Sequence, residues 1–274
     1  MKRYSFLIVT TIITIISKAG NENFPIGSRS AAMGNASVSL SDVWSTHHNQ
    51  AGLGFLRTIS TGIYYENRFL LKELSIKGGA LAIPVKGGTF GFCISNFGYS
   101  LYSESKYSLS FAKSFGDQLS AGITINCLNT RIAEGYGNKN VFAAEAGIQA
   151  KPIKELTIGA HVFNPTRAKL ADYNEERIPT IVRVGADYDF SDKVTLAIET
   201  EKDISQKAIF KAGIEYKPVK ELYLRAGIST KPTLSAFGIG LDVKNFKIDL
   251  SANYHQTLGI SPQVSLTYVF KKEK

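Results

Sequence analysis

Cysteine is nearly absent. Cys93 and Cys127 are the only two in 274 residues, which excludes a disulfide framework and a cysteine-based zinc site. The alternation described below puts these two on opposite faces of strands that are not neighbours, so no bridge between them is expected. Histidine is as sparse, with four residues. His47 and His48 are adjacent and point apart on an extended chain. His161 and His255 are single polar residues on inward faces, so no metal centre is expected. There is no Gly-x-Ser-x-Gly, no P-loop and no dinucleotide fingerprint, since Gly135-Tyr136-Gly137 lacks the third glycine. Neither an enzyme nor a cofactor is expected. Beyond residue 20 no apolar run is long enough to cross a bilayer as a helix. The formal charge is +9, yet the basic residues are scattered at turns and singly along strands. Without a basic helix, zinc-finger spacing or an RNP aromatic run, nucleic acid is excluded as the expected partner.

What is present starts with a leader. Lys2 and Arg3 precede the apolar stretch Phe6–Ile16, and Ser17-Lys18-Ala19 is a small-x-small cleavage site. Residues 1–19 therefore read as a secretory signal peptide, with a mature chain from Gly20. Loss of Lys2, Arg3 and Lys18 lowers the charge to +6.

From residue 57 to 271 the dominant signal is a period of two. In Phe246–His255 the residues Phe, Ile, Leu, Ala and Tyr fall on one face, and Lys, Asp, Ser, Asn and His on the other. Such alternation marks a strand between an apolar and a polar medium. Fourteen segments follow it, many about ten residues long. Six short turns (86–87, 116–117, 152–154, 191–192, 218–220 and 244–245) alternate with seven connections that are mostly longer. That parity predicts an all-β, 14-stranded antiparallel transmembrane barrel, its ends on the short-turn side. Tyr188, Phe190, Tyr216, Phe246, Tyr254, Tyr268 and Phe270 lie near strand ends on the apolar face, as an interfacial girdle would. The implied surroundings are the lipid and lipopolysaccharide of a bacterial outer membrane.

Residues 20–56 do not alternate. They carry Gly27-x-Arg29-x-x-x-Met33-Gly34-Asn35, then Asp42, then Asn49-Gln50-Ala51-Gly52-Leu53. This spacing resembles the N-terminal signature of the PorV/PorQ family, which is similar to FadL-type transporters. Gln50 stands where the family pattern usually has proline. The resemblance implies a barrel whose lumen holds an N-terminal hatch over residues 20–56. It also implies a partner-binding subunit of an outer-membrane secretion or assembly machinery, with outer-membrane or secreted proteins as partners. The alternative is a FadL-like channel for a hydrophobic small molecule.

The inward face divides into two walls. Arg183, Asp187, Glu199, Glu201, Lys211, Glu215, Arg225, Asp242, Lys247 and Asp249 project inward from successive strands, and their mixed signs predict cross-strand pairs. Strands 88–130 instead line the lumen with Gly91, Ser95, Ser108, Ser110, Ser120 and Gly122, leaving room for the hatch. Arg29 is expected to pair with a luminal carboxylate, and Trp44 to anchor the segment. Gly78-Gly79 interrupts the alternation of its strand and Pro84 follows. These three mark either a bulge or a lateral opening toward the bilayer.

Overall fold

Fourteen antiparallel strands close into one barrel in the computed structural model, which describes residues 23–134, 137–169 and 177–270. The first seven are β1 (Ser60–Asn67), β2 (Ser75–Val85), β3 (Gly88–Gly98), β4 (Tyr102–Phe115), β5 (Leu119–Ile132), β6 (Gly137–Ile153) and β7 (Leu156–Phe163). The others are β8 (Ile181–Ser191), β9 (Val194–Asp203), β10 (Ile209–Val219), β11 (Leu222–Ser229), β12 (Leu234–Val243), β13 (Phe246–His255) and β14 (Gly259–Val269). Each strand pairs with its neighbours in sequence. β1 closes on β14 from Ser60↔Val269 to Glu66↔Gln263, which satisfies the edges of the sheet. The leader, residues 1–19, and the cleavage point at Gly20 lie outside the described residues.

Strand ends differ slightly from the alternation. β1 starts at Ser60 rather than 57, and β8 at Ile181 rather than 178. Pro179 has no amide hydrogen to give a ladder, so β8 begins after it. The repeated Lys-Pro turns behave alike. The ladder shifts register between Ala150 and Ile153, and again between Tyr216 and Val219. Pro152 and Pro218 sit inside those shifts, where no donor is required.

The outward faces are apolar: Ile123, Phe142, Ile198, Phe237 and Leu250 are among many large exposed hydrophobics. The inward faces hold buried Ser, Thr, Asn, Glu, Lys and Arg. This is the reverse of a water-soluble sheet and defines a transmembrane β-barrel. Phe246, Tyr268 and Phe270 stack in sequence at the short-turn end, with ring centroids 4.8 and 4.7 Å apart. Tyr188 and Phe190 add to that end, whereas Tyr254 lies toward the long-loop end, the mouth.

Residues 23–56 pack against the inward faces. They contain α1 (Ser28–Ala32), α2 (Ser45–His48) and a 3-10 turn over Gln50–Phe55. The wall is notched to receive them. Gly122 faces Gly147, Gly159 faces Gly185 and Gly213 faces Gly227 across adjacent strands. A Cβ at any of the six would lie closer than 3.0 Å to an atom of residues 33–50, so only glycine admits the segment there.

Candidate functional site

The segment is held to the inner wall by several polar contacts. Toward the short turns, Arg29 donates two hydrogen bonds to Glu215, at 3.0 and 2.9 Å, and one to Asp42 at 3.3 Å. Asp42 in turn accepts from the Trp44 amide at 2.9 Å. Midway, the consecutive amides of Ser37 and Val38 donate to one oxygen of Glu199, at 2.7 and 2.8 Å. Asn49 donates to Val38 O at 2.7 Å and accepts from the Ala51 amide at 3.2 Å, which starts the 3-10 turn. Ser120 closes the contact by donating to Ala51 O at 2.7 Å.

The remaining signature positions explain themselves sterically. Gly27 has φ +99° and lies against the Trp44 ring, while Gly34 and Asn35 take φ +65° and +64° in the turn after α1. Met33 is fully buried in the notch over Gly213. A side chain at Gly52 would strike Ser45 Oγ. Gln50 donates to Glu145 at 2.5 Å, a contact that proline could not make.

The luminal charges form cross-strand pairs along part of the wall. Lys211 bonds Glu199 and Glu201 at 2.7 and 2.8 Å, and Arg183 bonds Glu201 at 2.7 Å. Arg225 bonds Glu215 at 2.5 Å and reaches across β12 to Asp249 at 2.6 Å. Gly240 permits that reach, since a Cβ there would meet the guanidinium. Asp242 and Lys247 also pair across β12 and β13, at 3.7 Å, at the exposed short-turn rim where solvent competes for both. Asp187 is inward and buried, and one of its oxygens has no hydrogen-bond partner among the described residues.

Gly78, Gly79 and Pro84 lie in an unbroken ladder. β2 keeps register with β1 from Ala82 to Ser75 and with β3 from Ile76 to Val85, so there is no bulge at these residues. Gly78 is covered from inside by Ile26 and Tyr64, and Gly79 faces Ile94. Cys93 and Cys127 are both free, one buried on β3 and one on β5.

The histidine pair is helical rather than extended. His47 Nε2 is 2.8 Å from Phe24 O, and His48 Nε2 is 2.7 Å from Ile26 O. A carbonyl only accepts, so both Nε2 atoms carry the hydrogen. Burial holds both rings well below the ordinary histidine range, hence neutral. The two histidines therefore clamp the backbone of Phe24-Pro25-Ile26.

That clamp places Phe24 beneath the mouth. Its ring lies 4.9 Å from Phe97 and 4.2 Å from the Arg68 guanidinium. On one side is a cavity of about 30 Å³ lined by Asn23, His47, Phe97, Lys106, Leu128 and Phe163. On the other is one of about 70 Å³ lined by Tyr64, Glu66, Phe69, Leu234, Asn253 and His255. Both share Phe24 and Ile76. Beside the first cavity, fully buried Glu145 accepts from Lys106 at 2.7 Å, Asn126 at 2.8 Å and Gln50 at 2.5 Å, with His161 Nε2 2.9 Å away.

Sequence reasoning missed Phe24, Lys106 and Glu145. Glu145 had a readable signal: it is the one acidic residue in the alternating run Val141–Gln149. Phe24 had none, because its importance lies in what surrounds it.

No family model and no curated protein sequence matches the chain. Solved structures do. One described as the CymD monoaromatic hydrocarbon channel aligns with TM-score 0.67 at 12% identity, over 91% of this chain and 98% of that one. The Ralstonia pickettii toluene transporter TbuX aligns with TM-score 0.67 at 13% identity, over 89% and 98%. A Pseudomonas aeruginosa FadL homologue aligns with TM-score 0.64 at 11% identity, over 90% and 99%. At this identity the likeness establishes the fold: a 14-stranded barrel of the FadL type.

Proposed function

We propose that the chain is an outer-membrane channel for small hydrophobic molecules, stoppered by its own N-terminal segment. The observation that carries this reading is the seat of Phe24. A phenylalanine side chain is a tethered toluene, and this one fills a space between Phe97 and Arg68 with a cavity on either side. Swinging the ring away would join the two cavities into one chamber of monoaromatic size. The fold shared with proteins described as hydrocarbon channels and toluene transporters supports the same reading. Short turns would face the periplasm and the mouth the exterior. A lateral exit at Gly78, Gly79 and Pro84 would require the continuous ladder of β1, β2 and β3 to part there.

The test is entry of radiolabelled toluene into cells with an intact lipopolysaccharide leaflet, with and without the protein. Phe24→Ala should raise the entry rate several-fold over wild type. Entry that is the same in cells lacking the protein would refute the channel. A second reading, a partner-binding subunit of a secretion machinery, is supported by the N-terminal signature and by the filled lumen. Stoichiometric co-purification of an outer-membrane or secreted protein in mild detergent would favour it.

A further inference from the structure

The outer face of the wall changes character on one side of the mouth. Across β1 to β6 the register lines up Tyr65, Lys77, Asn96, Ser105, Asn129 and Asn140 in one outward row. Their chain neighbours Glu66, Ile76, Glu104, Lys106, Leu128 and Val141 are buried inside, which fixes that direction. One outward row closer to the short turns come Gly79, Ile94, Tyr107, Cys127 and Phe142, of which Ile94, Tyr107 and Phe142 are exposed apolar surface. The hydrocarbon layer therefore ends between two rows about 7 Å apart. The strands continue past it: β4, β5 and β6 have 14, 14 and 17 residues, where a tilted crossing takes about 9–11. This is not a feature of the whole mouth, since the last outward row on β11–β14, Ile228, Ser235, Tyr254 and Ile260, stays mostly apolar. The polar row is also ordered in advance. Asn96 donates to Ser105 Oγ at 2.9 Å, and Asn129 donates to Asn140 Oδ1 at 2.6 Å and to Asn138 Oδ1. These bonds leave Asn129 Oδ1 as an acceptor and the Nδ2 groups of Asn138 and Asn140 as donors. Lys77 flanks the amides on β2, and Arg131 flanks them on β5, opposite Asn138. Both cations are exposed, and neither has an ion-pair partner among the described residues. The exposed acids on this side are Glu73 and Glu134, outnumbered by Lys72, Lys77, Arg131 and Lys139.

We propose that this face is a binding site for lipopolysaccharide, and that it takes the bisphosphorylated sugar headgroup of lipid A. The inference rests on the outer-membrane placement of the barrel, mouth outward, and not on what passes through it. Sugar hydroxyls both donate and accept, as the amide row does, and the phosphates supply the charge that Lys77 and Arg131 lack. Three strand spacings set the two cations about 14 Å apart, so a disaccharide laid along the row presents one phosphate toward each. Its acyl chains then run down over Ile94, Tyr107 and Phe142, the apolar row beneath. A phospholipid offers a single phosphate and meets one cation at a time.

The experiment is native mass spectrometry of the full chain in mild detergent, offered bisphosphorylated lipid A, monophosphorylated lipid A or phosphatidylglycerol at equal concentration. The wild type should retain one bisphosphorylated lipid A per barrel, about tenfold more than either other lipid. Lys77→Gln combined with Arg131→Gln should lower that retention about tenfold. Asn129→Val, which keeps both cations, should lower it several-fold. Lys202→Gln, an exposed cation on β9 away from the row, should leave it unchanged. Equal retention of phosphatidylglycerol, or an equal loss with Lys202→Gln, would reveal a general attraction of anions to a basic barrel and overturn the site. Retention that survives the double substitution overturns it too, as does retention of no lipid at all. The substituted side chains all face outward, and a heat-modifiable gel shift checks that each variant is folded. Toluene entry into cells decides the channel reading separately.

Discussion

Ile198 and Glu199 are neighbours in β9 and face opposite media. Ile198 is 54% exposed on the outside of the wall, and Glu199 is 3% exposed within it. Outside, the wall meets hydrocarbon, which makes no directional demand, and any large apolar side chain suffices. Inside, many positions meet a specific partner. Glu199 accepts from Lys211 and from two amides of the N-terminal segment. The outer face is thus defined by composition and the inner face by address. A change outside should cost what its transfer energy dictates, whereas a change inside should cost what its own partners lose.

Three changes and one control, Thr195→Arg, sharpen this contrast, the three running from the largest expected effect to the smallest. Lys211→Met removes the cation shared by Glu199 and Glu201. Leaving buried carboxylates without it should cost about 3–5 kcal/mol in urea unfolding of the folded barrel. A loss below about 1 kcal/mol would show that solvent, not Lys211, neutralises those carboxylates. Outside, Ile198→Arg should cost about 2–4 kcal/mol, the depth-dependent penalty of a lipid-facing cation. Thr195→Arg, at the rim of the same strand, should stay within about 0.5 kcal/mol. Equal losses for these two arginines would contradict the assignment of faces. Gly227→Ala adds one methyl group where the wall meets Gly34. Overpacking of that kind should cost about 1–3 kcal/mol, with protease sensitivity appearing in residues 23–56 while the barrel stays resistant. Cleavage within the barrel instead would show that the segment and wall fold as one unit.

Legibility followed the same division. The strands could be read from Phe246–His255 and its counterparts because the period of two is local. The parity of short and long connections located both ends of the barrel for a similar reason. Arg29 could be expected to find a carboxylate, because a cation in a lumen needs one, but nothing in the sequence names Glu215 as that partner. The expectation for His47 and His48 rested on an extended chain, and a single helical turn turned both rings onto backbone carbonyls of residues 24 and 26. Gly78-Gly79 read as a break because two glycines erase the alternation. In the wall they are simply one inward and one outward position of a continuous ladder. Asp242 and Lys247 pair across strands as their parity implies, but their place at the rim could not be read, since parity carries no information on depth.

The sequence by itself determined the number of strands, the polarity of each face and a distinct segment ahead of the wall. These follow from chain periodicity and the hydrophobic effect, which act on neighbours. Only the tertiary structure decided which inward residues share a level, because that depends on the stagger of a closed barrel. Closure brings Arg225 past Gly240 to Asp249 and aligns three pairs of glycines into notches for the N-terminal segment. It also sets Asn23 and His47 around one small cavity. A cavity is a property of what does not touch, and no pattern along a chain encodes that.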